Sequence, residues 1–288
     1  VGVSPMAVSS VLNHTKSTRV SASTRKRIIE TAERMEYHRN ELAGAIRTGS
    51  VNTVALIVQF TDYFDLNKVV SGILSRAHEL NYGIRIYDVS RIENAFEEIL
   101  RNCITRIICL DLDEERREKI NCFCEKHAMS LCYLLEKPHG NYPVVASALR
   151  NAMTEIVRVL HRKGYERIGV FGVKRNFHFF HEMMGGYYEG LKSEKLTTNQ
   201  KIISLEPELE DAKRDIVKLL SQPKQLRPHA LCCLSDEYAL LAANIATALS
   251  LRIPEDIAIF GFGNTILTQL GLVGISSAEQ HLNEVGRK

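Results

Sequence analysis

The side chains best placed to do chemistry near the start of this chain are small hydrogen-bonding groups on one short segment. Ser4 precedes Pro5-Met6-Ala7-Val8-Ser9-Ser10-Val11-Leu12-Asn13. Serine is a good N-cap and proline suits the first helical position, so a helix is expected from Pro5. Val8, Val11 and Leu12 fall at i, i+3 and i+4 and give one apolar stripe, leaving Pro5, Met6, Ser9 and Ser10 on the other face. A short helix entered through a Gly-containing turn is how the second helix of a helix-turn-helix begins. The chain starts inside that turn, so the first helix is expected to be absent from it.

Other constellations carry less. Gly-x-Ser-x-Gly, Walker and dinucleotide patterns do not occur, and Gly169-Val170-Phe171-Gly172 reads as a strand with two glycines, not as a phosphate loop. Asp111-Leu112-Asp113 ends a strand and opens an acid-rich helix start, which explains it better than a metal pair. Cys122-Phe123-Cys124 with His127 shows no fourth ligand, so buried helix cysteines are the expectation and no metal or cofactor is assigned. Seven cysteines without framework spacing point to reduced thiols in a cytoplasm. No apolar run approaches the length of a membrane span, and no signal peptide is evident. An enzyme is not expected.

The elements that position these groups divide the chain. A second helix follows Val20–Thr24, with Ile28, Ile29, Ala32 and Met35 as its stripe. Residues 1–50 hold eight basic and four acidic side chains, a surplus of +4, whereas the rest of the chain carries −1. A basic head on a near-neutral body places any polyanion at the head. From Thr53 the pattern alternates. Strands are expected at Thr53–Val58, Ile84–Val89, Arg106–Leu110 and Leu131–Leu135, then at Ile168–Val173, Ile202–Leu205, Ala230–Leu234 and Ile257–Phe260. A helix at Leu149–Arg162, ending at Gly164, links the two series, and helices near 181–194, 208–221 and 236–250 separate the later strands. Two successive βα series argue for two doubly wound lobes, with a ligand site in the cleft beyond the strand ends.

At this point the residues resemble a family. Val3-Ser4 with Val8–Asn13, Val20-Ser21 with Thr24-Arg25, then Tyr37, Asn40 and Leu42-Ala43 look like the DNA-binding head of the lactose-repressor (LacI) family. Gly164–Gly169, Ser235-Asp236, Arg252–Ile259, Gly261-Phe262-Gly263 and Glu284–Lys288 resemble its core motifs in order. The resemblance implies an α/β protein: a partial helix-turn-helix head (1–38), a hinge helix and linker (39–50), and a periplasmic-binding-protein-like core. Lobe 1 of that core would be 51–146 with 274–288, and lobe 2 would be 147–273. It also implies a chain truncated at both ends.

For the head, the resemblance places Pro5, Met6 and Ser10 against base edges, and Ser4, Ser9, Asn13, Ser21, Thr24 and Asn40 against phosphates. Met6 suits a thymine methyl, and none of these offers the bidentate fork of Arg or Gln, so direct readout is weak per contact. Ser4 and Ser21 also serve as plain helix caps. Ala43, Ile46 and Arg47 fall on the hinge helix, with Ile46 at the position of the family's minor-groove wedge. A homodimer on a pseudo-palindromic double-stranded operator is implied, without membrane association.

For the core, the resemblance implies a sugar-sensing repressor of a carbohydrate-utilisation operon, or a nucleobase- or nucleoside-responsive one. A solute-binding core without regulation is the other class. Asp62, Tyr63, Phe64 and Asp65 are the first-lobe candidates, although the two aromatics could equally be core or dimer-interface groups. Asp236 matches a ligand-contacting aspartate, with N-capping as its plain alternative. The chain departs from the family twice: Met183 stands where an arginine is usual, and Gly263-Asn264 where an aspartate follows Gly-Phe. Arg175, Asn176, His178 and Asn264 are the candidates to take over, and the expectation is either a larger effector, such as a disaccharide or a sugar phosphate, or a site that has changed its ligand. The helix around Lys68–Leu80 is the expected dimer contact.

Overall fold

The computed structural model describes residues 2–12, 20–37, 51–59, 66–110, 112–137, 140–172, 178–196, 209–271 and 273–288. The expected strand at Ile202–Leu205 lies outside them. The chain forms two compact units, Val1–Val51 and Asn52–Lys288.

In the first unit, α1 (Pro5–Leu12) and α2 (Ala22–Arg34) pack through Val11 and Ile28, both almost fully buried. Each helix starts on a serine. Ser4 Oγ accepts the Ala7 N–H at 3.2 Å, and Ser21 Oγ accepts the Thr24 N–H at 3.2 Å while its own hydroxyl donates to Thr24 Oγ1 at 2.8 Å. These bonds satisfy amide donors that a helix start otherwise leaves orphaned.

Among the described residues the second unit holds two parallel sheets. The first has the order β2-β1-β3-β4-β5, from β1 (Thr53–Val58), β2 (Gly83–Asp88), β3 (Arg106–Leu110), β4 (Ser130–Leu134) and β5 (Val144–Val145). The second has the order β6-β7-β8-β9, from β6 (Ile168–Phe171), β7 (Ala230–Cys233), β8 (Ala258–Phe262) and β9 (Ser276–Ala278). Every pairing is parallel. Parallel sheets are covered on both faces, which is why Ala55-Leu56-Ile57-Val58 and all four residues of β6 and β7 are buried apolar or small groups.

The covering helices of the first sheet are α3 (Leu66–Glu79), α4 (Ile92–Arg101) and α5 (Glu114–Lys126). Those of the second are α6 (Leu149–Arg162), α7 (His178–Ser193), α8 (Leu209–Leu220) and α9 (Asp236–Ala248), with a single turn, α10 (Leu267–Leu270), after β8. α6 spans the residues its periodicity predicts, and Gly164 follows it with φ +91°. The second sheet separates two apolar layers, one built on Met153, Val157, Met183 and Tyr187, the other on Ile216, Leu219, Ala239 and Ala243.

The chain then crosses back. β9 pairs with β8 in the second sheet, so Ser276–Ala278 belong with the second lobe, not with the first as expected. Only α11 (Leu282–Arg287) packs on the first lobe, where Leu282 joins Leu56, Val69, Ile73 and Leu110 in its core. The contact with α3 is made backbone to backbone through two glycines. A Cβ at Gly72 would lie 2.1 Å from the Asn283 carbonyl oxygen, and one at Gly286 would lie 2.1 Å from that of Val69. Arg287 closes the crossing with a 2.8 Å ion pair to Glu79.

This crossing predicts an inverted helix-propensity result. On propensity alone, Gly72→Ala would stabilise α3 by about 1 kcal/mol. Because α11 must be pushed away, urea unfolding should instead show a net loss of about 1–3 kcal/mol. Gly274→Ala, where a Cβ meets nothing within 4 Å, should stay within about 0.5 kcal/mol of the parent.

Candidate functional site

On the head, Ser4, Pro5 and Met6 are exposed, Met6 at 77%, and form the open start of α1. Ser9 and Thr24 are half-buried and Ser21 is exposed. Ser10 departs from expectation. Its hydroxyl is buried and has no hydrogen-bond partner among the described residues. The residue flanks the Val11 stripe, so a hydroxyl turned inward there offers nothing to a groove. Lys26 and Arg27 are exposed on α2, and the Lys26–Glu30 pair, 3.7 Å apart and mostly solvated, does little to neutralise that surface. Asn13, Asn40, Ala43, Ile46 and Arg47 lie outside the described residues.

In the core, Asp62, Tyr63, Phe64, Asp65, Arg175 and Asn176 also lie outside them, so the site is built from what surrounds the strand ends. Asp236 opens α9 directly after β7 and has no exposed surface. It is not the cap: that is Ser235, whose side chain accepts from the Tyr238 N–H. The Asp236 carboxylate instead reaches across the sheet edge. Oδ2 accepts the Thr265 N–H and Oδ1 accepts the Ser277 hydroxyl, both at 2.6 Å. Ser277 in turn accepts the Asn264 N–H at 3.0 Å. The carboxylate comes so close to β8 that a Cβ at Gly261 would sit 2.3 Å from Oδ1. A glycine is therefore required there by close approach.

Asn264 is exposed, with φ +48°, and its Nδ2 donates to Glu279 Oε2 at 2.8 Å. Met183 is wholly buried in the core layer with Met153, Tyr187 and Phe262, so it shows no surface to a cleft. The structure thus puts Asp236 and Asn264 in one network beyond β8 and leaves Met183 outside it.

Sequence reasoning missed a second buried carboxylate. Glu136 follows β4 as Asp236 follows β7, and it pairs with Arg117 of α5 at 2.6 Å, both almost fully buried. Glu136 Oε1 also accepts the Leu112 N–H, and Arg117 Nη2 donates to the Leu112 carbonyl at 2.9 Å. The available signal was an acid immediately after a continuously apolar strand. His178, at the start of α7, feels this region from the second lobe. Burial holds its imidazole below the ordinary value; Glu182 opposes the shift, and Arg117 and Lys137 add to it. Burial pushes the Cys124 and Cys232 thiols up to about 12, which keeps them protonated. Cys122, two residues before Cys124, is exposed instead.

The two lobes also meet at their strand ends. Lys68, in the first turn of α3 beyond β1, donates through Nζ to the carbonyls of Gly263 at 3.0 Å and Asn264 at 3.4 Å, just beyond β8. The carboxyl ends of strands from both sheets therefore share one region, the place where doubly wound sheets hold ligands.

Comparison with known proteins identifies this arrangement. Bacterial regulatory proteins of the lacI family match residues 1–40, and the periplasmic binding protein-like domain matches residues 157–288. The head is thus similar to lacI-family regulatory proteins, and the second lobe to a periplasmic binding protein-like domain. The chain is a DNA-binding transcriptional regulator of the kind that responds to a small-molecule effector. It is 23% identical over 294 residues to the HTH-type transcriptional repressor PurR of Aliivibrio salmonicida, and 24% identical over 293 residues to catabolite control protein A of Staphylococcus aureus. Each alignment covers 99% of this chain and 86% of the relative. In fold it is similar to the lac repressor dimer bound to operator and the anti-inducer ONPF, with a TM-score of 0.83 at 17% identity, covering 99% of this chain and 86% of that one. It is also similar to the transcriptional regulator CelR in complex with cellobiose, with a TM-score of 0.71 at 18% identity, covering 97% and 85%. Among the described residues no helix is long and apolar enough to cross a membrane.

The Asp236 network makes a prediction that separates it from a cap. Asp236→Asn sets an amide donor against either the Thr265 N–H or the Ser277 hydroxyl, and should lower stability by about 1–3 kcal/mol in thermal or urea unfolding. Ser235→Ala should cost about 1 kcal/mol. Equal losses in the two variants would mean that the carboxylate does no more than cap α9.

Proposed function

We propose that this regulator is a cytoplasmic repressor of carbohydrate-utilisation genes. It binds a pseudo-palindromic operator as a two-fold dimer, and a sugar or sugar phosphate held between the two core lobes controls it. The observation that carries this reading is the joining, in one chain, of a head matching the lacI family to two parallel sheets whose strand ends are bridged by Lys68. Support for the operator and the dimer comes from the lac repressor likeness, and support for a sugar from the CelR–cellobiose complex.

Pro5 and Met6 would meet base edges. Ser4, Ser9, Ser21 and Thr24 would meet phosphates, as would Asn13 and Asn40, with Ala43, Ile46 and Arg47 entering the minor groove. The serines that cap α1 and α2 stand beside amides at helix starts, where a phosphate is favoured. In the core, Asp62, Tyr63, Phe64, Asp65 and Arg175 would reach the effector together with Asn264. Asp236 would act through the network it holds rather than by direct contact, since both its oxygens are already engaged.

Two measurements test this. Operator affinity should fall about a thousandfold or more between about 50 and 200 mM salt, as expected for several phosphate contacts, and Ile46→Gly should weaken it further. Thermal-shift screening should raise the melting temperature with sugars or sugar phosphates. A shift given only by purines or nucleosides would replace the sugar reading, and salt-independent DNA binding would sink the operator reading.

A further inference from the structure

We propose that Lys68 is a latch between the two lobes, holding the loop beyond β8 against the first turn of α3 and so setting how far the core opens. Three observations carry it. First, the bond joins different lobes beside the β9–α11 crossing: Lys68 stands on the helix covering the first sheet, and its two acceptors are main-chain carbonyls beyond a strand of the second. Second, both ends are themselves fixed. The Lys68 carbonyl accepts from Asn283 Nδ2 of α11 at 3.4 Å, and α11 is locked to α3 through Gly72 and Gly286. The receiving loop is pinned by Asp236 at Thr265, by Ser277 at the Asn264 amide and by Glu279 at the Asn264 side chain. Third, those pins set the acceptor. Asn264 is held at φ +48° while its carbonyl and that of Gly263 both receive the Lys68 ammonium.

A flexible four-carbon stem ending in three donors suits such a contact, because it can let go and re-form without rearranging either lobe. Interlobe closure in two-lobed proteins is a hinge or shear motion of nearly rigid bodies. One charge-assisted bond between such bodies shifts the balance of open and closed states by its own differential strength. The latch depends on neither the sugar nor the operator reading, only on two lobes that move.

The test is hydrogen–deuterium exchange on the full chain and its Lys68→Met variant, with small-angle X-ray scattering of both. In the variant, amides of 263–270 should exchange about ten-fold faster, the size expected for loss of one charge-assisted hydrogen bond. The radius of gyration should rise, while amides of β1, β6 and β7 keep their protection. Lys68→Arg should restore the slow exchange. Unchanged exchange at 263–270 would overturn the latch. So would acceleration spread evenly over both sheets, which would make Lys68 a general stabiliser.

Discussion

The carboxylate of Asp236 sits where water does not reach it, and the far edge of the second sheet is arranged around that fact. A polar group in such a place is tolerated only if hydrogen bonds replace its hydration. Two donors do so here, one from the loop beyond β8 and one from β9. The same carboxylate demands a glycine at 261 and leaves the Ser277 oxygen oriented to receive the Asn264 amide. The conformation of the loop beyond β8, and with it the position of the two carbonyls facing Lys68, is therefore tied to one buried carboxyl group.

The first lobe solves the same problem differently. Glu136 occupies the equivalent place after a strand, but it is neutralised by a guanidinium and takes one backbone amide. A buried ion pair of this kind is weak evidence for added stability, yet removing either partner is severe because the other is left unpaired. Arg117 keeps Nε and Nη1 buried without hydrogen-bond partners among the described residues. The two lobes thus bury unlike groups beyond their strands: one an acid paired with a guanidinium, the other an acid held by neutral donors.

Much of this was legible in the sequence, for reasons that can be named. β1 announced itself as an apolar run because a parallel strand is buried on both faces. α6 showed its limits because its stripe and the glycine after it are local signals. The alternation of strand and helix implied parallel sheets, and the resemblance of scattered motifs implied the family. What stayed hidden was every feature decided by a distant partner. Asp236 looked like a cap or a ligand contact because nothing near it in sequence names Thr265 or Ser277. The Ser10 hydroxyl was assigned to the exposed face, since helical spacing gives a direction for the Cβ but not for the rotamer. In sequence Met183 stands at a position where the family carries a ligand-binding arginine, and the core layer that encloses it becomes visible only in three dimensions. The return crossing was placed a few residues early because β9 is only three residues long.

The glycine crossing of α3 and α11 also bears on how the chain matures. α11 follows the whole of the second lobe along the chain, although the sheet it covers precedes that lobe. Until α11 arrives, the backbone of α3 at Val69 and Gly72 lacks its neighbour, and Leu282 is missing from the core it shares with Leu56 and Val69. The second lobe, whose strands are contiguous in sequence, has no such wait. Synthesis from the N-terminus therefore runs against the usual order in which earlier domains finish first: the later lobe can close while the earlier one stands open.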